Sequence, residues 1–381
     1  MNTERERLLA NVPGADGWKH WGPYLSERQW GTVREDYSPG GTAWEYFPHD
    51  HARSRAYRWG EDGIAGISDA EQYVCLSLAL WNGCDPILKE RLYGLTNAEG
   101  NHGEDVKEHY FYLDATPTHS YLKMLYKYPH RAFPYADLVA ENARRNTGAP
   151  EYELLDTGIF AEDRYFDVFV EYAQVEPGDI LMQITVWNRG PTAPLHLIPQ
   201  LLLRNTWTWE PGSHKPALRA TGKGTISIEP ADLGAACLYY DGAAELLFTE
   251  NETNAPKLFH CGETGYFKDA FHDRIIGDRL EAVNPARVGT KAGVWFHTTI
   301  AGGAKHEYRL RLTRRPTAAP FADFHAHLEQ RREEADAFYA DLQHGIASAD
   351  ERVVQRQAFA GLIWSKQFYY LDVPRWLKGD P

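Results

Sequence analysis

This chain has little of what marks redox, metal or membrane chemistry. Its 381 residues include only four cysteines, Cys75, Cys84, Cys237 and Cys261, and no two of them have CxxC spacing. Neither a zinc ribbon nor a dithiol centre is expected from that pattern. Thiols so sparse in so long a chain read as reduced, which points to a cytoplasmic protein. The charged start, residues 1–7, is followed by no apolar stretch, and no run of about 18 apolar residues occurs anywhere. Neither a signal peptide nor a membrane span is expected. Net charge is −13 with no Lys/Arg-rich block, so nucleic acid and anionic membrane are not expected partners. The patterns GxSxG, GxGxxG and GxxxxGK are absent, which removes a nucleophile elbow and the common phosphate cradles. No cofactor is expected.

What the chain has in plenty is aromatic side chains, with 12 Trp, 22 Tyr and 16 Phe. They crowd with arginines and carboxylates between residues 21 and 63: Trp21, Tyr24, Arg28, Trp30, Arg34, Glu35, Asp36, Trp44, Arg55, Trp59 and Glu61. Flat rings stack on the C–H faces of sugars, and Arg and carboxylate forks hydrogen-bond vicinal hydroxyls. The same mixture suits a buried polar network that fixes loops to a scaffold. Both readings stay open from sequence.

Other clusters are weaker. His49 and His51 would share a face if they lay on a strand, but zinc needs further ligands at a recognisable spacing. Glu61–Asp62 and Glu104–Asp105 are paired carboxylates, the residue type that runs glycoside hydrolysis. Neighbours on a strand point to opposite faces, so a working pair must come from separate segments. Arg331-Arg332-Glu333-Glu334 reads as a solvated helix face.

Period-two alternation dominates the chain. Val74, Leu76, Leu78 and Leu80 form one row, and Phe166, Val168, Val170 and Tyr172 another. Hairpins are predicted over 107–128, over 237–249 about Asp241-Gly242, and over 294–312 about Gly302-Gly303. A short helix is predicted over 135–146. Many strands with short turns argue for stacked antiparallel sheets. After Arg315 the pattern turns helical. Phe321, Phe324, Leu328, Ala335, Phe338 and Leu342 make one stripe. Ser348 to Glu351 reads as a capping box that opens a second helix, over 350–371. Val354, Ala358, Leu362, Ser365 and Tyr369 form its stripe, flanked by Val353, Phe359, Ile363, Trp364 and Phe368. A helix apolar on several sides expects cover on several sides.

Residues 21–37, 47–63, 85–91, 99–107, 117–121 and 364–369 resemble the microbial glycoside hydrolase family 63-like glucosidases. Among them are Trp21-Gly22-Pro23-Tyr24, Phe47-Pro48-His49-Asp50-His51 and Trp364-Ser365-Lys366-Gln367. These proteins are often named mannosyl-oligosaccharide glucosidase-like, and their relatives act on glucosylglycerate. The resemblance implies an N-terminal β-supersandwich over 1–315, a helical linker over 316–345 and the start of an (α/α)6 barrel over 346–381. It implies inverting hydrolysis by an acid Asp and a base Glu in the barrel, and no residue here corresponds to either. A chain truncated in this way is expected to be inactive alone. Its expected partners are a glucoside substrate, the missing barrel, or a second copy bound through the C-terminal helices. A stand-alone, non-catalytic carbohydrate-binding sandwich is the alternative, as is a structural partner of a separate helical domain.

Overall fold

A computed structural model describes residues 2–10, 17–32, 46, 48–102, 105–209, 212–229, 235–366 and 373–378. Among them two large antiparallel sheets face each other. One has six strands, in the order Trp21–Gly22, Ile64–Asp69, Val74–Trp81, Ala193–Leu203, Lys291–Ile300 and Glu245–Thr249. The other has nine, in the order Val288–Gly289, Ala217–Gly222, Thr225–Glu229, Ala236–Tyr240, Lys305–Thr313, Asp179–Asn188, Tyr165–Glu176, Tyr121–Pro129 and Tyr110–Ala115. The fold is a β-sandwich followed by helices, as the alternation predicts. Leu76, Leu78 and Leu80 from one sheet meet Phe166, Val168, Val170 and Tyr172 from the other in a single buried core. The residues between them point outward, because successive strand side chains alternate.

Two predicted hairpins are not hairpins. Strands Ala236–Tyr240 and Glu245–Thr249 belong to different sheets, as do Lys291–Ile300 and Lys305–Thr313. Their turns carry the chain from one layer to the other. Local patterning reports a turn but not which sheet receives the next strand. A third crossover, between strands Asp179–Asn188 and Ala193–Leu203, lies against the one at 301–304. A Cβ on Gly302 would come within 2.8 Å of the Gly190 carbonyl oxygen, so the close approach requires glycine there. The hairpin within 107–128 does form, between Tyr110–Ala115 and Tyr121–Pro129. The helix predicted over 135–146 is Tyr135–Arg144.

Helix Phe324–Leu342 lies across the outer face of the nine-stranded sheet. Its Phe324, Leu328 and Ala335 bury against Tyr121, Ala173 and Leu181. The cluster read as a solvated face is partly buried instead. Arg331 donates to the carbonyls of Gln174 (2.7 Å) and Val175 (2.9 Å), and Arg332 pairs with Glu171 at 2.8 Å. The reason is geometric: strand 165–176 ends beneath the helix and leaves carbonyls that a guanidinium can satisfy. The N-terminal helix Thr3–Ala10 joins this clasp. The buried Glu4 carboxylate accepts from Thr118 N (2.8 Å), Thr118 Oγ1 (2.6 Å) and Ser120 Oγ (2.7 Å).

Helix Ala349–Trp364 is opened by Ser348, whose hydroxyl accepts from Glu351 N at 3.3 Å. It packs on the edge strand Tyr110–Ala115 through Ala360 and Trp364, which enter the main core. Trp364 is 1% exposed, and its Nε1 donates to the Asp114 carbonyl at 3.0 Å. The apolar stripe named from periodicity faces the other way. Val354 is 60% and Leu362 74% exposed, with Ala358 exposed between them. Tyr369 and Phe368 lie outside the described residues. Periodicity finds an apolar face, but here two faces compete, and the one with the indole and its hydrogen bond is the one buried.

Trp364→Ala should therefore cost about 3–5 kcal/mol of unfolding free energy in urea, the usual range for truncating a buried Trp. Leu362→Gln should change it by no more than about 0.5 kcal/mol. Equal losses at both positions would mean that Leu362 is covered in solution.

Candidate functional site

Most of the aromatics predicted to meet a sugar are core. Trp30 is fully buried, and Trp21 and Trp59 nearly so. Trp30 packs with Ala52, Tyr57 and Trp59, and meets the His49 ring edge-on at 5.9 Å. Arg55 sits 5.6 Å from the centres of the Tyr46 and Phe259 rings. Arg34, Glu35, Asp36 and Trp44 lie outside the described residues, as does Glu104. Tyr24 and Arg28 alone among the described candidates, besides Arg55, keep part of their surface exposed.

Glu61 and Asp62 are buried and point to different partners, as neighbours in an extended segment must. Glu61 accepts from Asn251 Nδ2 (2.6 Å) and Lys268 Nζ (3.2 Å). Asp62 accepts from Arg91 Nε (3.0 Å) and the Tyr57 hydroxyl (2.7 Å). Burial pushes the Glu61 carboxyl up, and the Lys268 ammonium opposes it. Neither carboxylate reaches solvent, so both brace the fold in this chain. His49 and His51 sit on the short helix His49–Ala52, not on a strand; His49 is buried and His51 exposed. Among the described residues no group of three His, Cys, Asp or Glu side chains is placed to hold a metal ion.

The brace nevertheless builds a site beside it. Gly63 N donates to the Ser26 carbonyl and Leu92 N to the Glu27 carbonyl, each at 3.0 Å. These bonds hold segment 26–32 against the end of the sandwich, next to the end of helix Ala349–Trp364. Between them opens a cleft of about 390 Å³, lined by Ser26, Glu27, Arg28, Tyr110, Tyr112, Trp364 and Lys366, among others. Tyr112 stacks on Trp364 with ring centres 5.5 Å apart and planes 9° from parallel.

Its electrostatics are unusual for a protein surface. Glu27 Oε1 is buried with no hydrogen-bond partner. Burial pushes the Glu27 carboxyl up to about 7, although the Tyr112 hydroxyl beside it works the other way. Lys366 donates to the Ile363 carbonyl (3.0 Å) and lies 3.1 Å from His119 Nε2. Burial, and then the charge of Lys19, lower its ammonium to about 8. His119 Nδ1 lies 3.0 Å from the Trp21 carbonyl and so carries the proton, which leaves Nε2 to accept from Lys366. Burial, and then Lys366, drive that imidazole down to about 3. The cleft thus presents a carboxyl whose protonated form burial favours, an amine, a guanidinium and two phenols. All of them can donate hydrogen bonds.

Sequence reading took in Arg28 and missed Glu27, Tyr110, Tyr112 and Lys366. Tyr110 and Tyr112 were within reach, since residues two apart on a predicted strand share a face. Glu27 and Lys366 were not, because only the fold brings segment 26–32 to the end of a helix more than 300 residues later.

Fold and site together define a β-sandwich with a helical extension and a polar, aromatic cleft where the two meet. No protein-family model matches the chain. An uncharacterized protein of Saccharomyces cerevisiae is 42% identical to it over 427 aligned positions. The alignment covers 99% of this chain and 39% of the yeast protein, so the chain spans about two fifths of that relative's length. A solved structure from the human microbiome, provisionally assigned as a kojibiose phosphorylase, is 7% identical. It matches 92% of this chain and 39% of its own, at a TM-score of 0.29. A superposition that loose does not define a common fold.

Glu27 carries a pH signature. A carboxyl raised from about 4.5 to about 7 in the folded state stabilises the fold fully below about 4.5, and that contribution is lost as pH rises to about 7. The loss is at most about 3 kcal/mol. Glu27→Gln should flatten the stability profile over this window, measured by urea unfolding at successive pH values. An unchanged slope would mean that Glu27 titrates normally.

Proposed function

We propose that this chain is the N-terminal sandwich and linker of an inverting glucosidase-like glycoside hydrolase, and that the junction cleft is its contribution to the sugar site. The observation that carries this reading is the cleft itself. Segment 26–32, the edge strand Tyr110–Ala115 and the end of helix Ala349–Trp364 build it jointly, where a following helical domain would sit. Its donors suit hydroxyl oxygens. Glu27 is the one carboxylate among its described lining residues. Inverting hydrolysis needs two carboxyl groups roughly 6.5–9.5 Å apart with a water between. The cleft therefore orients a sugar, and the acid and base come from elsewhere, as the family resemblance implies. The exposed Val354–Ala358–Leu362 stripe fits the same reading, as a surface for the next helices of a barrel. In a free chain it is also a surface for self-association.

Glucose release from kojibiose, nigerose and glucosylglycerate tests the reading. This chain alone should release none, and the full-length yeast relative should hydrolyse at least one α-glucoside. Turnover by the chain alone that is abolished by Glu61→Gln or Asp62→Asn would move the active site into the sandwich. Inactivity of the full-length relative on a broad panel of glycosides would remove the hydrolase assignment.

A further inference from the structure

The outer face of the nine-stranded sheet carries a second, differently built hollow. Gln183, Thr185 and Trp187 follow each other at every second position on strand Asp179–Asn188, so all three face outward. Phe169 lies opposite Thr185 on the adjacent strand. Trp187 and Phe169 thus sit on a sheet diagonal, about 7–8 Å apart. Both rings are half-buried, and each keeps exposed surface. Helix Phe324–Leu342 forms one wall, through His325, Leu328 and Arg332. The hollow has a volume of about 490 Å³. A second hollow, of about 540 Å³, has Glu307 and His325 in common with it.

Two features indicate the ligand. Gln183 is 5% exposed and lines the hollow, yet its Oε1 is buried with no partner. A buried amide oxygen without a donor costs free energy unless something supplies one. The lining charges, in turn, cancel. Three cations, Lys123, Lys305 and Arg332, face three anions, Glu171, Glu307 and Glu329. They are already matched, Lys305 with Glu307 at 2.8 Å, and Arg332 with Glu171 at 2.8 Å and with Glu329 at 3.0 Å. Such a surface has no net charge to attract an ion. It offers two flat rings, an amide, a hydroxyl and fixed charged groups as hydrogen-bonding partners.

We propose that this groove is a binding site for a neutral oligosaccharide, separate from the junction cleft. Its rings stack on sugar faces, Gln183 Oε1 accepts from a sugar hydroxyl, and the volume of the hollow, well beyond one sugar ring, favours a chain over a single sugar. The proposal does not depend on the hydrolase reading, because it concerns binding by this chain alone.

Calorimetric titration of the intact chain with maltohexaose, laminarihexaose and cellohexaose tests it, with a sulfated heparin hexasaccharide alongside. At least one neutral hexasaccharide should bind with a dissociation constant of about 1 mM or tighter, and quench tryptophan fluorescence. Trp187→Ala and Gln183→Ala should each weaken binding about tenfold, with an unchanged circular dichroism spectrum. If Trp187→Ala does not fold, Phe169→Ala replaces it. The proposal is overturned if none of the neutral hexasaccharides binds at up to about 10 mM. It is also overturned if the sulfated one binds more tightly, or if binding survives these changes and is lost on Tyr112→Phe instead.

Discussion

The buried pairing of Asp62 with Arg91 is the constraint on which the rest of the site depends. Both side chains are almost fully buried, 3.0 Å apart. Removing one partner of such a pair leaves an uncompensated buried charge and costs roughly 3–5 kcal/mol. Two more buried pairs flank it, Glu61 with Lys268 and Glu90 with Lys291. Tyr57 adds a hydroxyl to Asp62, and its ring faces the Lys268 ammonium at 3.6 Å. The two flanking pairs join segments more than 200 positions apart. Ion pairs inside a protein are weak sources of net stability, but breaking one is costly, so the segments that carry the partners are held together. In this chain the pairs fix segments 57–63 and 89–92. Backbone bonds from those segments then fix Ser26 and Glu27.

Burial dictates the chemistry of the cleft. An isolated carboxyl, amine and imidazole span acid to basic pH in water. Here burial raises the first and lowers the other two, so each moves towards its neutral form. Glu27 and Lys366 are thereby brought towards neutral pH, while His119 stays an uncharged acceptor. The outer groove has the opposite design, with full charges compensated in pairs. The first is rich in donors; the second offers flat rings and one buried acceptor.

The sandwich was legible in the sequence because a sheet buried on one face imposes a period of two on its residues. Leu76-Leu78-Leu80 and Phe166-Val168-Val170-Tyr172 stated it plainly. The two terminal helices were legible from a period of 3.6 and from Ser348. Which sheet each strand joins was not, since the crossovers at 241–244 and 301–304 have the same turn chemistry as hairpins. The site was legible only as a neighbourhood. Trp21, Trp30 and Trp59 attract notice because they are large and close in sequence. That same size makes them the residues a fold buries first. Glu27 and Gln183 look ordinary in sequence. They become candidates only once the fold has taken away their water and given one oxygen of each no partner.

Helix Ala349–Trp364 links these levels. One side is committed: Ala360 and Trp364 fill the end of the core, and Arg356 pairs with Asp114 and Asp336. The other side, Val354 to Leu362, is apolar and open. The committed side also ends at the cleft, because Trp364, Ser365 and Lys366 are among its walls. A helix transmits position along its axis with little loss. Anything that covered the open stripe would therefore act on the same rod that sets the Trp364–Tyr112 stack and the Lys366–His119 contact. If the cleft holds a sugar, and cover on the stripe changes the affinity for it, then by linkage the sugar must alter the affinity for the cover by the same factor.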